Sequence, residues 1–147
     1  MFIRLSSNNI IDYWDIIKFV TLNTMVIQAK SVEEYCRNVL ISLFSNKYQC
    51  WFFLSEDRQI QWVLITGIRL DFGGSISLFV HTMYGFSPLS IEKKEAMKER
   101  LIEFSKSIKA QYMIFAPSTP LAVKVCEQVG LEQIAKIFIQ KVGDYNE

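Results

Sequence analysis

Hydrophobic residues recur along this chain with spacings that change from segment to segment, and each spacing predicts a type of element. Residues 2–5 form a short apolar run typical of a first strand. Asn8 or Asn9 then predicts a helix start, because either side chain accepts a hydrogen bond from a backbone N–H. Ser31 and Glu34 have the spacing of a capping box, and the apolar residues that follow them have the period of a second helix.

Strand-like segments occupy the middle of the chain. The runs 50–54 and 60–65 are rich in aromatic and β-branched residues and flank a short polar loop, which predicts a hairpin. Residues 71–74, Asp-Phe-Gly-Gly, predict a second turn that leads into a third strand over residues 75–80. We therefore expect three consecutive antiparallel strands in this region.

Helices and strands alternate in the remainder of the chain. An apolar stripe opposite a charged face predicts a long helix from about Ile91 to Lys109. A buried strand over residues 112–116 precedes a helix that Thr119 caps and Gly130 ends. Residues 134–142 predict a final strand.

The resulting order β, α, α, β, β, β, α, β, α, β predicts an α+β fold. We expect a central mixed, mostly antiparallel sheet with helices on both of its faces. Half of the 147 residues are hydrophobic, and no linker or repeat interrupts them. Residues 1–147 are therefore expected to form a single domain with one substantial core.

Charge and hydropathy exclude several classes of partner. The formal net charge is +1, so no long-range field would attract nucleic acid or an anionic membrane. The first residues lack the apolar run of a signal peptide, and no segment has the apolar length that crosses a bilayer. We expect a soluble, cytoplasmic protein with neither a nucleic-acid nor a membrane partner.

The three cysteines, Cys36, Cys50 and Cys126, are odd in number and widely separated. No Cys-x-x-Cys pair or Cys/His cluster accompanies them, which argues against a zinc site. We interpret them as free thiols in a reducing compartment and predict no metal site.

The segment Leu78–Ser90, LFVHTMYGFSPLS, resembles the strand and turn that bind coenzyme A in the GNAT acyltransferases. In that family the strand is typically followed by an arginine or glutamine and two glycines, which lead into a helix. Here the strand and the helix are intact, but Phe86, Ser87 and Pro88 follow Gly85 where the family usually has its basic residue and glycines. The order of elements also resembles the GNAT fold over nearly the whole chain.

A second pattern near the C-terminus supports the same resemblance. The family often carries asparagine, alanine, tyrosine, lysine, glycine and phenylalanine at fixed spacing. Ala122 and Gly130 match this pattern, and Leu131 is a conservative match. The tyrosine, which usually protonates the leaving thiolate, falls on Cys126, for which a small core residue is the competing interpretation.

The resemblance implies acetyl-CoA or another acyl-CoA as cofactor and a set of residues that bind it. Backbone amides around Val80 to Thr82 would polarise the thioester carbonyl. Gly85 would permit a close approach to the pyrophosphate, and Ser87 or Ser90 would donate a hydroxyl hydrogen bond. The competing interpretation is that the sequence SPLS is an ordinary helix start, with serine as the cap and proline in the first turn.

His81 is the only histidine and the one side chain whose ordinary pKa suits proton transfer near neutral pH. We consider it a candidate general base, against the alternative of a histidine that only ends a strand. The aromatic residues of the predicted hairpin present a similar choice between an acceptor cleft and a core. They are Trp51, Phe52, Phe53 and Trp62.

Three functional interpretations follow. The first is an N-acyltransferase that transfers an acetyl or acyl group from acyl-CoA to a small-molecule or protein amine. The second is a GNAT-fold protein without catalysis that serves as a binding, regulatory or structural module; the aromatic-rich strands favour a homodimer or a larger assembly. The third is an unrelated α+β binding domain, which would keep its fourth and fifth strands paired throughout.

Overall fold

The computed structural model describes residues 1–143, which form five strands, five α-helices and one 3-10 turn. In chain order the elements are β1 (Phe2–Arg4), α1 (Ser7–Ile10), the 3-10 turn (Ile11–Tyr13), α2 (Trp14–Asn23), α3 (Val32–Phe44), β2 (Tyr48–Leu54), β3 (Ile60–Leu70), β4 (Ile76–Gly85), α4 (Ile91–Ser107), β5 (Tyr112–Phe115) and α5 (Pro120–Gln128). Residues 144–147 are outside the described part of the chain.

The five strands form one sheet in the order β1-β2-β3-β4-β5. The first three pairs are antiparallel, and β4 pairs with β5 in parallel. A parallel neighbour requires a crossover connection, which α4 supplies between β4 and β5. The predicted mixed, mostly antiparallel sheet is therefore confirmed.

Side chains alternate between the two faces of the sheet and produce two hydrophobic clusters. On β2, Trp51 and Phe53 join the cluster that α4 and α5 cover. Cys50 and Phe52 join the other cluster, which α2 and α3 cover. We call these surfaces the α4/α5 face and the α2/α3 face. The prediction of helices on both faces is thus confirmed.

The aromatic residues of the β2–β3 hairpin belong to the two cores. Trp51, Phe52, Phe53 and Trp62 are each at most 3% exposed. Burial of this kind excludes an acceptor cleft lined by these four rings. These rings stabilise the folded sheet because their large apolar surfaces are removed from water.

Local capping signals had a mixed outcome. The Ser31 hydroxyl accepts a hydrogen bond from the Glu34 amide at 3.2 Å, and the Thr119 hydroxyl accepts one from the Ala122 amide at 3.2 Å. Both predicted caps are therefore confirmed. The caps predicted at Asn8 and Asn9 are wrong: the N-cap of α1 is Ser6, which has an extended backbone and precedes Asn8 by two residues.

The final strand predicted over residues 134–142 is wrong for the single chain. No strand is present after β5 in the described part of the chain. Residues 132–143 run without a helix, turn or bend and are exposed throughout. A strand requires a ladder of backbone hydrogen bonds with a neighbouring strand, and the ladders of the described sheet join only β1 to β5.

Candidate functional site

Strands β4 and β5 separate part-way along β4. Their parallel pairing extends from Ser77 and Tyr112 to Val80 and Phe115, and the Ala116 amide makes a last contact with the Val80 carbonyl at 3.4 Å. From there β4 continues to Gly85 with β3 as its only strand neighbour among the described residues. Residues 81–85 of β4 therefore have no strand neighbour on the β5 side among the described residues, and we call this interval the gap between β4 and β5.

A β-bulge at His81 marks the point of divergence. Thr66 pairs with Val80 and Ile65 pairs with Thr82, so His81 is an extra residue without a partner on β3. The bulge changes the alternation of side chains, and both Val80 and Met83 reach the core of the α4/α5 face. Bulges of this kind redirect a strand and recur beside functional sites.

Helix α2 lies across the gap between β4 and β5. On the β4 side, Phe19 packs edge-on against Tyr84 with ring centroids 5.8 Å apart. Beyond the end of β5, the Ser118 hydroxyl donates a hydrogen bond to the Thr24 carbonyl at 3.0 Å. Thr21 lies between these two contacts, is 1% exposed, and its hydroxyl has no hydrogen-bond partner in the described structure.

The loop after β4 leads into the N-terminus of α4. Ser90 is the N-cap, and its hydroxyl accepts a hydrogen bond from the Lys93 amide at 3.3 Å. The expected helix start with Ser87 as cap and Pro88 in the first turn is wrong, since both residues precede the cap. The carbonyl of Ser87 instead accepts a hydrogen bond from the Trp62 indole at 2.9 Å.

Gly85 is required by the indole of Trp62. A Cβ atom on Gly85 would lie 2.3 Å from Cε2 and Cζ2 of that ring, well inside van der Waals contact. The two residues are direct neighbours across β3 and β4. The absence of a side chain at Gly85 therefore serves the packing of Trp62, whether or not a ligand approaches the same backbone.

The structure brings three of the five predicted cofactor-binding residues into one short segment. Gly85, Ser87 and Ser90 lie between the end of β4 and the start of α4, and Ser90 is exposed. Val80 and Thr82 lie further back on β4, flank the bulge and are buried. Their side chains are therefore enclosed, and the Val80 carbonyl already accepts the hydrogen bond from the Ala116 amide.

His81 faces the α2/α3 side of the sheet. Its Nδ1 lies 3.0 Å from the Thr82 hydroxyl, and its ring stacks on Tyr48 with centroids 6.0 Å apart. Tyr48 packs against the core of that face. Burial lowers the pKa of His81 below its ordinary value, and the nearby Arg69 guanidinium lowers it further. The imidazole is therefore neutral at pH 7 and able to accept a proton.

A depression of about 460 Å³ opens beside His81. Helix α3 and the start of β2 form its walls, with two tyrosines and one lysine among the lining side chains. The lining residues are Tyr35, Asn38, Val39, Ile41, Ser42, Lys47, Tyr48 and His81. None of the loop residues 85–90 belongs to this depression, so His81 and the predicted cofactor loop border different openings.

Cys126 occupies the core of the α4/α5 face. Its side chain is 9% exposed and packs in the cluster that contains Val80 and Met83. Burial raises the pKa of the thiol to about 11. A thiol with this pKa is a weak proton donor near neutral pH, which agrees with the interpretation of Cys126 as a core residue.

Two further groups lie beside the gap: Tyr84, whose spacing after the strand is part of the resemblance to the GNAT family, and Thr21, which sequence reasoning missed. Tyr84 carries a phenol on the second half of β4, in contact with Phe19 and with Phe86 at a centroid distance of 5.0 Å. Thr21 carries the buried hydroxyl described above. Nothing in the sequence around Thr21 distinguishes it, because it becomes notable only where α2 crosses β4.

The described residues contain no group of three or more His, Cys, Asp or Glu side chains that is arranged to hold a metal ion. Within the same residues, none of the helices combines the length and hydrophobicity that crossing a membrane requires.

Comparison with known proteins identifies the class of fold. No family model matches the sequence, and no curated protein is similar to it in sequence. Solved structures do match over almost the whole chain. A predicted acetyltransferase from Clostridium acetobutylicum, determined with acetyl-CoA, has a TM-score of 0.67 and 15% identity, with 96% of this chain and 95% of that chain covered.

Two further structures agree. Ribosomal-protein-alanine N-acetyltransferase from Brucella melitensis biovar Abortus 2308 matches with a TM-score of 0.67 and 10% identity over 97% of this chain and 99% of its own. AAC(6')-Iy in complex with the bisubstrate analogue CoA-S-monomethyl-acetylneamine matches with a TM-score of 0.67 and 8% identity over 97% of each chain. The protein therefore has the GNAT acyltransferase fold, as the order of its elements predicts.

Proposed function

We propose that this protein binds an acyl-CoA in the gap between β4 and β5 and transfers its acyl group to an amine. The divergence of the two strands after Val80 carries the proposal. Residues 81–85 of β4 have no strand neighbour on the β5 side, and the helix α4, of 17 residues, begins shortly after them. An extended thioester arm beside β4 would therefore lie next to a helix N-terminus, which suits an anionic head group.

The N-terminus of α4 supports the assignment of the pyrophosphate. The first amides of a helix have no intrahelical acceptor, and their dipoles favour negative charge. Ser90 satisfies the amide of Lys93, which leaves the amides of Ile91 and Glu92 for a ligand. The Glu92 carboxylate opposes an anion at this position, and the Lys93 ammonium beside it offsets that charge.

The α2/α3 face supports the assignment of the acceptor amine. In the proposed reaction the amine nitrogen attacks the acyl carbonyl carbon, a C–N bond forms, and the C–S bond breaks. Because His81 borders the depression and not loop 85–90, the proton that the amine loses reaches neutral His81 through bridging water, and solvent returns a proton to the leaving thiolate. Two aromatic rings, Tyr35 and Tyr48, border the same depression as His81 and suit an apolar or cationic amine.

A second candidate function is binding without catalysis. Two observations favour it: the Cys126 thiol is buried in the core, and Phe86 and Pro88 occupy positions where GNAT enzymes usually carry glycines. Pro88 also has no amide hydrogen to offer a phosphate. In this case the protein would retain acyl-CoA, or a related anion, as a regulatory or structural ligand.

Calorimetric titration with acetyl-CoA tests the binding step. We expect Ser87→Glu to weaken binding about tenfold, because it adds a carboxylate to the loop before α4. Ser107→Glu is the matched control, since it makes the same change at the opposite end of the same helix. No heat with the wild-type protein at millimolar acetyl-CoA would exclude the acyltransferase function.

Release of free coenzyme A tests the transfer step. Purified protein, acetyl-CoA and a panel of primary amines are assayed with a thiol reagent. For an acyltransferase we expect turnover that His81→Gln lowers by about 10²–10⁴-fold. Binding without turnover on any amine would leave the regulatory or structural function as the correct one.

A further inference from the structure

One side of the depression beside His81 consists of stacked rings. Tyr48 on β2 and His81 on β4 stack although β3 lies between their strands, and Gly67 is the β3 residue directly opposite Tyr48. A Cβ atom on Gly67 would lie 2.6 Å from Cε1 of the Tyr48 ring. The ring of Tyr48 can therefore extend over β3 and reach His81 because Gly67 has no side chain.

Positive charges lie beside these rings. Lys47 is among the residues that line the depression, and none of the lining residues is acidic. On the sheet, the guanidinium carbon of Arg69 lies 3.5 Å from the centroid of the Phe79 ring, which in turn is 6.3 Å from the His81 ring. The Arg69 charge is close enough to lower the pKa of His81, so it also acts on a ligand beside that imidazole.

No acid pairs with either cation in the described part of the chain. Neither Lys47 nor Arg69 forms a salt bridge with any of residues 1–143. The other charged residues of α3 are exposed and do not line the depression; they are Glu33, Glu34 and Arg37. Two cations without a lining carboxylate disfavour a further cation and favour an anionic group on the ligand.

We propose that the acceptor in this depression is a small amine that also carries a carboxylate, such as an amino acid with an apolar side chain. The carboxylate binds Lys47 at the rim, and the apolar group packs on the rings of Tyr35 and Tyr48. These rings by themselves suit an apolar or a cationic amine, and the charges of Lys47 and Arg69 exclude the cationic one.

The same charges assist the reaction. An ammonium group cannot attack the acyl carbon, and neighbouring positive charge favours the neutral amine, which can. The inference rests on the proposed acyl transfer for the role of the amine. Recognition of the carboxylate does not require transfer, so the two are tested separately.

Proton NMR of His81 tests carboxylate recognition without turnover. The probes are 3-phenylpropionate and 2-phenylethylamine, which share a phenyl ring and an ethylene chain and differ in the charged end. We expect 3-phenylpropionate to shift the imidazole Cε1 proton, to raise the pKa of His81, and to bind at least about tenfold more tightly than the amine. Equal affinities, or tighter binding of 2-phenylethylamine, would overturn the proposal.

Substitutions of Lys47 locate the carboxylate. Lys47→Gln should weaken binding of 3-phenylpropionate about three- to tenfold, and Lys47→Glu should reverse the preference between the two probes. Lys47 is exposed, so neither change disturbs the core. Lys124→Gln is the matched control, because it removes an exposed lysine from α5 on the opposite face of the sheet. If Lys47→Gln and Lys124→Gln bind the probes alike, the assignment of Lys47 is wrong.

Release of coenzyme A from acetyl-CoA separates this inference from the proposed function. L-phenylalanine and 2-phenylethylamine differ only in the carboxylate, and we expect phenylalanine to be the better acceptor. Faster turnover of 2-phenylethylamine would support acyl transfer and overturn the carboxylate-bearing acceptor. Binding of 3-phenylpropionate with no transfer to either amine would keep the carboxylate site and overturn the transfer.

Discussion

At the scale of single residues, the loop before α4 is determined by packing as much as by ligand chemistry. Trp62 is fully buried, packs against the Cα of Gly85 and donates a hydrogen bond from its indole to the carbonyl of Ser87. One indole therefore fixes both the end of β4 and the start of the loop. Gly85 was a predicted phosphate contact; the structure gives it a second role that sequence alone did not reveal.

Replacing Gly85 by alanine is expected to destabilise the fold. The new Cβ would overlap the Trp62 ring, which is enclosed by the core, so Gly85→Ala should lower the free energy of unfolding by about 1–3 kcal/mol. Gly73→Ala is the control, because its Cβ would meet only Asp71 Oδ1 at 3.4 Å and should change stability by less than about 0.5 kcal/mol. Equal effects in urea unfolding would contradict this explanation.

The single histidine allows a direct measurement of its pKa by proton NMR. Burial and the Arg69 charge both disfavour the imidazolium, so the titration midpoint of the imidazole Cε1 proton should lie below 6.5. Arg69→Gln should raise the midpoint, because one of the two causes is removed. Lys106→Gln, an equal charge change at the exposed end of α4, should leave it unaltered.

The same pKa shift makes stability depend on pH in one direction. The unfolded chain binds a proton at about pH 6.5, whereas the folded chain binds it only at lower pH. The free energy of unfolding should therefore fall as pH drops from 6.5 through the folded pKa, and His81→Gln should remove that part of the decline. An identical pH profile for the variant, in parallel urea titrations, would refute the assignment.

At the scale of elements, local signals predicted helix starts better than they predicted strand geometry. Ser31 and Thr119 were identified correctly because a cap depends on a few neighbouring residues. The bulge at His81 depends on how β4 registers against β3, which no local pattern contains. The sequence therefore ended the strand near Val80, whereas the structure extends it to Gly85.

The Ser31 hydrogen bond is expected to contribute measurably to α3. Ser31→Ala removes the acceptor for the Glu34 amide and should lower the free energy of unfolding by about 1 kcal/mol. Ser6→Ala is a matched control, since Ser6 occupies the N-cap of α1 without a side-chain cap hydrogen bond. If both variants lose the same stability in guanidinium unfolding, the hydroxyl of Ser31 is not the cause.

At the scale of the whole molecule, the order of elements predicted the fold because each apolar period reports which side of an element is buried. The prediction of a last strand over residues 134–142 was wrong for a different reason. The segment has the composition of a strand, but a strand also requires hydrogen bonds with a neighbouring strand, which composition does not report. The candidate site was predicted only in part. Gly85, Ser87 and Ser90 are close in sequence, whereas the Phe19–Tyr84 contact and the buried Thr21 hydroxyl arise where α2 crosses β4.

The hydrogen bond between Trp62 and Ser87 also gives the molecule an internal fluorophore at its candidate site. The emission of an indole depends on the polarity around its ring and on the partner of its N–H, and here that partner is a loop carbonyl beside the start of α4. Any ligand that shifts this loop will change the emission of Trp62. Arrival of an anion at the loop can thus be followed optically in the unlabelled protein, with Trp62→Phe to identify the responsible ring.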